Sequence, residues 1–241
     1  MLTRIRGIVL HHIKYKENSA IVNMYTDLHG RQSYLINCVR GKKGQNHANL
    51  LQPLFFLEME VYHRPYREMH RIKEFNQYIT FRNLPFDLNR STQAMFIAEV
   101  LYRSLKEEEP NPELFEFLLH SIQWLDTSEK YFSLFHLLFL VQLTKYLGFY
   151  PENNYSSRIG YFDLRNGQFT GNEQIHPDIL NREVSLYFHQ LLKKSFSNLQ
   201  SLKIEHTVRA QLTDSLLDYY RFHIQSFGKL RSLAVLKEIF G

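Results

Sequence analysis

A chain of 241 residues with 44% apolar and 22% charged residues, ten Gly and seven Pro has an ordinary globular composition, which excludes disordered, collagenous and low-complexity classes. Its single Cys excludes an internal disulfide framework and any multi-Cys metal site, and fits a reducing compartment. The net charge of +5 is unevenly placed, since residues 1–80 carry 12 Lys/Arg against 6 Asp/Glu while residues 81–241 carry 17 against 18; this asymmetry suggests a polyanion-binding module joined to a near-neutral one.

The N-terminal segment lacks the apolar stretch and cleavage site of a secretory signal. The first eighty residues then read as strands. A β-rich run over Ile5–Tyr15 is followed by a second over Ala20–Thr26. Asp27-Leu28-His29-Gly30 is a turn, with Gly30 suited to positive φ, and Gln32–Val39 returns as a third strand. Gly41-Lys42-Lys43-Gly44 lies in a basic loop, and Leu54–His63 and Met69–Thr80 form a last hairpin around Arg64-Pro65-Tyr66-Arg67. Five short strands suit a small closed barrel; the OB-fold is the commonest such solution, and the pattern leaves an SH3-like barrel open.

From about Leu84 the apolar period becomes helical. Ser91-Thr92 offers a cap for a helix carrying Ala94, Ile97, Ala98, Leu101 and Leu105, and Asn111 caps a second with Pro112 at its first position. Thr127-Ser128-Glu129 is expected to start a helix apolar nearly all round, stopped by Gly148 and Pro151. Its stretch 131–149 is interrupted by His136, Gln142 and Lys145, so it reads as a buried core helix, not a membrane span. Arg165-Asn166-Gly167 marks a hairpin turn, and helices resume at about 181–196, 207–226 and 230–240. The expected fold is α+β: an OB-fold barrel over 1–80, then a helical domain over 81–241 with a hairpin insert at 149–175.

No catalytic motif is present: GKKG at 41–44 lacks the Walker A spacing, and HExxH, GxSxG and GxGxxG are absent. No enzymatic activity is expected, and no cofactor or metal. His63 and His70 flank a turn and read as a surface pair, while Glu58 and Glu60 read as an exposed strand face. The sharpest signal is basic and aromatic. Arg31, Arg40, Lys42, Lys43, Arg64, Arg67, Arg71 and Lys73 are interleaved with Tyr34, Tyr62 and Tyr66, the combination of phosphate-tracking charge and stacking rings that single-strand binders use. In the helical half, Phe115, Phe117, Trp124, Phe132, Phe135 and Phe139 read mainly as packing. Lys130 and Lys145 mark the ends of the apolar helix, and Lys229 and Arg231 come from a late segment. With Phe135 they outline a groove for an acidic peptide tipped by an aromatic residue.

Several short motifs, in order, resemble the bacterial DNA repair and recombination family RecO. They are Arg6-Gly7-Ile8-Val9-Leu10, Lys16-Glu17-Asn18-Ser19-Ala20-Ile21-Val22, Val39-Arg40-Gly41-Lys42-Lys43, Leu51-Gln52-Pro53-Leu54, Leu143-Thr144-Lys145-Tyr146-Leu147-Gly148-Phe149-Tyr150-Pro151 and Gly228-Lys229-Leu230-Arg231-Ser232-Leu233. The resemblance implies a non-enzymatic mediator that binds single- and double-stranded DNA and anneals complementary strands. It implies contact with the acidic C-terminal tail of single-stranded DNA-binding protein (SSB), cooperation with RecR, and through it delivery of RecA. It implies a cytoplasmic, nucleoid-associated protein with no membrane partner. Many relatives place a four-Cys zinc site after the Gly-Phe-x-Pro segment; here residues 150–175 contain no Cys, and no zinc is expected. On residues alone, an RNA-binding OB protein with a helical scaffold is the competing reading.

Overall fold

A computed structural model describes residues 2–17, 19–37, 49–64, 67–130, 132–172 and 176–240. The chain forms two compact units, residues 1–126 and 127–241.

The first unit holds strands β1 (Leu2–Lys16), β2 (Ser19–Thr26), β3 (Gly30–Asn37), β4 (Phe56–Tyr62) and β5 (Met69–Gln77). They close into a barrel in the order β1-β2-β3-β5-β4, with β4 returning to β1. The β3–β5 pairing is parallel and the other pairings are antiparallel. This is OB-fold connectivity, and it resolves the choice between barrels. Period-2 alternation sends Val22, Met24, Tyr34, Ile36, Met59 and Val61 inward, all nearly fully buried. At the β2–β3 turn Gly30 has φ +59°, and a Cβ there would lie 2.4 Å from the Glu109 carbonyl oxygen. Glycine therefore lets the 107–109 backbone close on the turn, where Arg31 N–H donates to the Glu107 carbonyl at 2.9 Å.

Helices α1 (Leu88–Ser104) and α2 (Pro112–Thr127) complete this unit's sequence. The α1 cap is Asp87, whose side chain accepts from Arg90 N–H at 2.9 Å. The expected Ser91-Thr92 cap is corrected: those residues sit one turn inside the helix, where Ser91 Oγ bonds back to the Leu88 carbonyl. Asn111 caps α2 as expected, accepting from Leu114 N–H at 3.0 Å. Phe115 packs edge-on against Phe56 at 6.2 Å, joining α2 to the barrel. Asp126 is buried and accepts from the backbone N–H groups of Arg82, Asn83 and Leu84 at 2.7–3.0 Å.

The second unit holds α3 (Phe135–Tyr146), hairpin strands β6 (Tyr161–Asp163) and β7 (Gln168–Thr170), and α4 (Arg182–Leu192), α5 (His206–His223) and α6 (Ser232–Phe240). The apolar helix starts at Phe135 after a 3-10 turn over Phe132–Leu134, later than the Thr127-Ser128-Glu129 start expected from capping residues. Its residues 135–141, 143 and 144 are buried, as an all-round apolar helix requires. It stops where expected: Gly148 takes φ +82°, and Phe149 N–H reaches back to the Thr144 carbonyl at 3.1 Å, a Schellman closure. Tyr220 Oη donates to the Leu140 carbonyl at 2.7 Å, pinning α5 to α3.

Phe162 and Phe169 anchor the hairpin, both buried and 5.0 Å apart, with Phe188 of α4 at 4.3 Å from Phe162. Asp163 ties its turn, accepting from the N–H groups of Arg165 and Asn166, from Asn166 Nδ2 and from His176 Nε2. Among the described residues no helix is long and apolar enough to cross a membrane.

Candidate nucleic-acid interface

The alternation that fills the barrel also decides which side chains face outward. Leu35 pairs laterally with Arg71, and Arg71 with Tyr62, so a row crosses β3, β5 and β4 on the outer surface. Met69 lies two residues before Arg71 on β5, and Arg64 and Arg67 follow β4. These side chains, with His70 beneath, line a cleft of about 500 Å³. Tyr62 is 46% and Met69 40% exposed, which leaves a ring and a thioether open to a ligand. Arg64, Arg67 and Arg71 are all exposed. The cleft thus combines three guanidinium groups with apolar and aromatic faces. On an OB barrel, the β2–β3 face and the β4–β5 loop are the customary oligonucleotide surface.

Other predicted residues sit differently. Tyr34, grouped with these charges by sequence proximity, points into the barrel and is fully buried; burial pushes its phenol well above the usual range. Arg31 donates to the carbonyls of Tyr102 and Leu105, both at 2.7 Å, and lies 4.5 Å over the Tyr102 ring. It holds the C-terminus of α1, where a cation complements the helix dipole. Lys73 is the extra residue of a bulge between the Glu60–Glu74 and Val61–Ile72 pairs. Its Nζ is 2.8 Å from Glu60 Oε2, and that hydrogen bond raises its pKa. Arg4 pairs with Glu58 at 2.5 Å, so the acidic strand face is matched by cations. Arg40, Lys42, Lys43 and Tyr66 lie outside the described residues. His63 and His70 do meet, with rings 4.3 Å apart, but His70 is buried and not part of a surface pair.

The sequence matches the family "Recombination protein O N terminal" over residues 1–79 and "Recombination protein O C terminal" over residues 85–234. The DNA repair protein RecO of Bacteroides fragilis is 40% identical over 241 residues, covering all of both chains. RecO of Phocaeicola vulgatus is 38% identical over 240 residues and RecO of Porphyromonas gingivalis 32% over 244, again with full coverage. The chain belongs to the RecO family of DNA repair proteins.

In this RecO-family chain the segment after Gly-Phe-x-Pro does not fit a zinc ion. It has no Cys, Asp163 is committed to its own turn, and no group of three His, Cys, Asp or Glu among the described residues is placed to hold a metal.

The residues expected to hold a peptide all fall in the second unit. Phe135 is fully buried and stacks on Phe196 with centroids 5.5 Å apart. Lys130 is exposed but precedes the 3-10 turn and α3. Lys145 sits in the last turn of α3 with Nζ 4.8 Å over the Tyr150 ring. Lys229 and Arg231 are exposed in the segment entering α6.

Proposed function

We propose that this RecO-family protein is a recombination mediator that binds single- and double-stranded DNA, anneals complementary strands, and acts with RecR to load RecA onto SSB-coated single strands. The observation that carries the DNA-binding part is the outer row Leu35–Arg71–Tyr62 flanked by Arg64 and Arg67. Guanidinium groups neutralise phosphates without regard to sequence, while an exposed tyrosine ring stacks on any unpaired base. Neutralising two complementary strands on one protein removes the repulsion that keeps them apart. The protein makes and breaks no covalent bond in this reading. Arg40, Lys42 and Lys43 add positive charge to the same third of the sequence.

The direct test is the salt dependence of single-strand binding. Replacing Arg64, Arg67 and Arg71 together by Ala removes three phosphate contacts and flattens the slope of log K against log salt by about 2, at roughly 0.7 per contact. An unchanged slope places the DNA elsewhere. Annealing of SSB-coated complementary DNA separates this reading from an RNA-binding one, which predicts a preference for RNA and no annealing on coated DNA.

Partner binding is proposed for the second unit. Lys130, Lys145, Lys229 and Arg231 supply cations for the acidic SSB tail, whereas Phe135, fully buried against Phe196, packs the core and offers no face to a peptide. Charge reversal at Lys130 and Lys145 is expected to weaken a labelled tail peptide and to leave binding to naked DNA nearly intact.

A further inference from the structure

Three imidazoles from three separate segments form a column in the barrel unit. His29 comes from the β2–β3 turn, His63 directly follows β4, and His70 belongs to β5. The His29 and His63 rings lie 3.9 Å apart at an interplanar angle of 5°, and His63 and His70 lie 4.3 Å apart at 28°. His70 pairs with Tyr34 in the β3–β5 register, which turns it inward and leaves it 3% exposed.

Hydrogen bonds define the protonation state of His70. The backbone N–H of Arg64 donates to its Nδ1 at 3.3 Å, so that nitrogen carries no proton. Nε2–H then donates to Gln32 Oε1 at 3.0 Å, and Gln32 Nε2 donates to the His29 carbonyl at 3.0 Å. The relay runs from the segment after β4, through β5 and β3, to the β2–β3 turn. It exists only while His70 is neutral, because a proton on Nδ1 would oppose the Arg64 N–H donor to donor.

Charges of both signs surround the column. On the turn, Asp27 faces it, but Arg6 already engages that carboxylate through Nε at 2.9 Å and N–H at 3.0 Å. The Tyr34 ring of β3 is 6.0 Å from His70 and its phenol stays neutral through burial. The segment after β4 brings another cation, Arg64. The backbone of Glu107–Glu109 abuts Gly30 beside His29, bringing acidic residues to the turn side. Burial first, and then the charge of His63, lowers the pKa of both His29 and His70.

We propose that His29, His63 and His70 form a proton-operated latch: neutral, the column holds the end of β4 at His63 and Arg64 to the β2–β3 turn, and protonated, it releases them. Stacked imidazoles tolerate neutrality at close range, whereas adjacent imidazolium charges repel. The latch is independent of whether the neighbouring cleft binds DNA, since its readouts are ring titration and backbone accessibility.

The experiment uses the full chain. Imidazole proton NMR, assigned with His29→Gln, His63→Gln and His70→Gln, follows each ring from pH 8 to pH 5. The expected result is His29 and His70 midpoints below the unperturbed value of about 6.5, both moving up when His63 is replaced by Phe or Gln. Tryptic cutting at Arg67–Glu68 is then compared between the parent and His63→Phe at pH 7.5 and 5.5, so that the protease's own pH dependence cancels. From pH 7.5 to 5.5 the parent-to-variant ratio is expected to rise about tenfold in total for each proton taken up on opening, because uptake sets in only below the unperturbed value of about 6.5. Independent midpoints near 6.5, or a flat cleavage ratio, overturn the latch. Should His63→Phe not fold, His63→Gln serves as the comparator in both measurements.

Discussion

Asp126 carries more of the first unit's local order than its place in the sequence suggests. One buried carboxylate collects three backbone N–H groups from residues 82–84, and its own carbonyl accepts from Asn83 Nδ2 at 2.7 Å. Replacing it with Ala leaves those donors without their acceptor, and buried unmet donors cost about 1–3 kcal/mol each. Asp126→Ala is expected to destabilise the protein by about 3 kcal/mol or more, read as a lower urea midpoint with an unchanged m-value. Tyr62 shows the opposite case, a residue that costs little to remove from the fold. Its ring is half exposed, so Tyr62→Ala should leave the midpoint nearly unchanged while weakening single-strand binding by about 1–3 kcal/mol. Fluorescence anisotropy with a labelled oligonucleotide checks this, and equal affinity for parent and variant would exclude stacking on this ring. Tyr34 and Tyr62 looked alike in the sequence. Strand alternation in an established register sends one into the core and leaves the other on the cleft.

At the scale of elements, the ends of helices and strands explain both the agreements and the misses. The stop of α3 was legible because Gly148 supplies the left-handed residue that a Schellman closure needs. The start of α1 was not: Ser91 and Asp87 are both capping types, and the choice went to Asp87, whose carboxylate reaches Arg90 N–H at 2.9 Å. Asp87→Ala is expected to cost about 1 kcal/mol, measurable as a lower melting temperature, while Ser91→Ala stays within about 0.5 kcal/mol. The bulge in β5 has a similar lesson. It places Lys73 against Glu60 at 2.8 Å, an exposed pair of small energetic worth. Lys73→Ala should therefore change DNA binding less than Arg71→Ala, whose side chain lies in the cleft.

Over the whole molecule, buried histidines make stability fall with acid. His136 is the clearest, fully enclosed in the second unit, with burial first and the charge of Arg209 second pushing its pKa down to about 3. Thr213 Oγ1 spends its proton on the Arg209 carbonyl at 2.9 Å, so it accepts from His136 Nε2–H at 3.2 Å. The folded pKa lies below the unfolded one, so the unfolded chain binds the proton first. Stability is full above about pH 6.5 and declines as pH falls toward the folded value. Between pH 7.5 and 5.5 this one group removes about 1.4 kcal/mol. Urea titrations at both values should show that loss, and His136→Leu should reduce the pH dependence by about the same amount. His29 and His70 act in the same direction in the first unit.

Composition, charge asymmetry and hydrophobic period were enough to read five strands in a basic first third ahead of a helical remainder, because alternation and the 3.6-residue period are local properties of a chain. The hairpin at 161–170 and the caps at Asn111 and Gly148 were legible for the same reason. Register, closure and long-range pairing were not. The parallel β3–β5 contact that brings Leu35 beside Arg71 joins residues 36 apart. The stack of His29 on His63 joins residues 34 apart. Arg31 and Arg71 were equivalent as letters, yet one is bound by the carbonyls of Tyr102 and Leu105 and the other faces an open cleft. Which cation is a strut and which is free for a ligand depends on acceptors brought within hydrogen-bond distance by folding, and only the tertiary structure decides that.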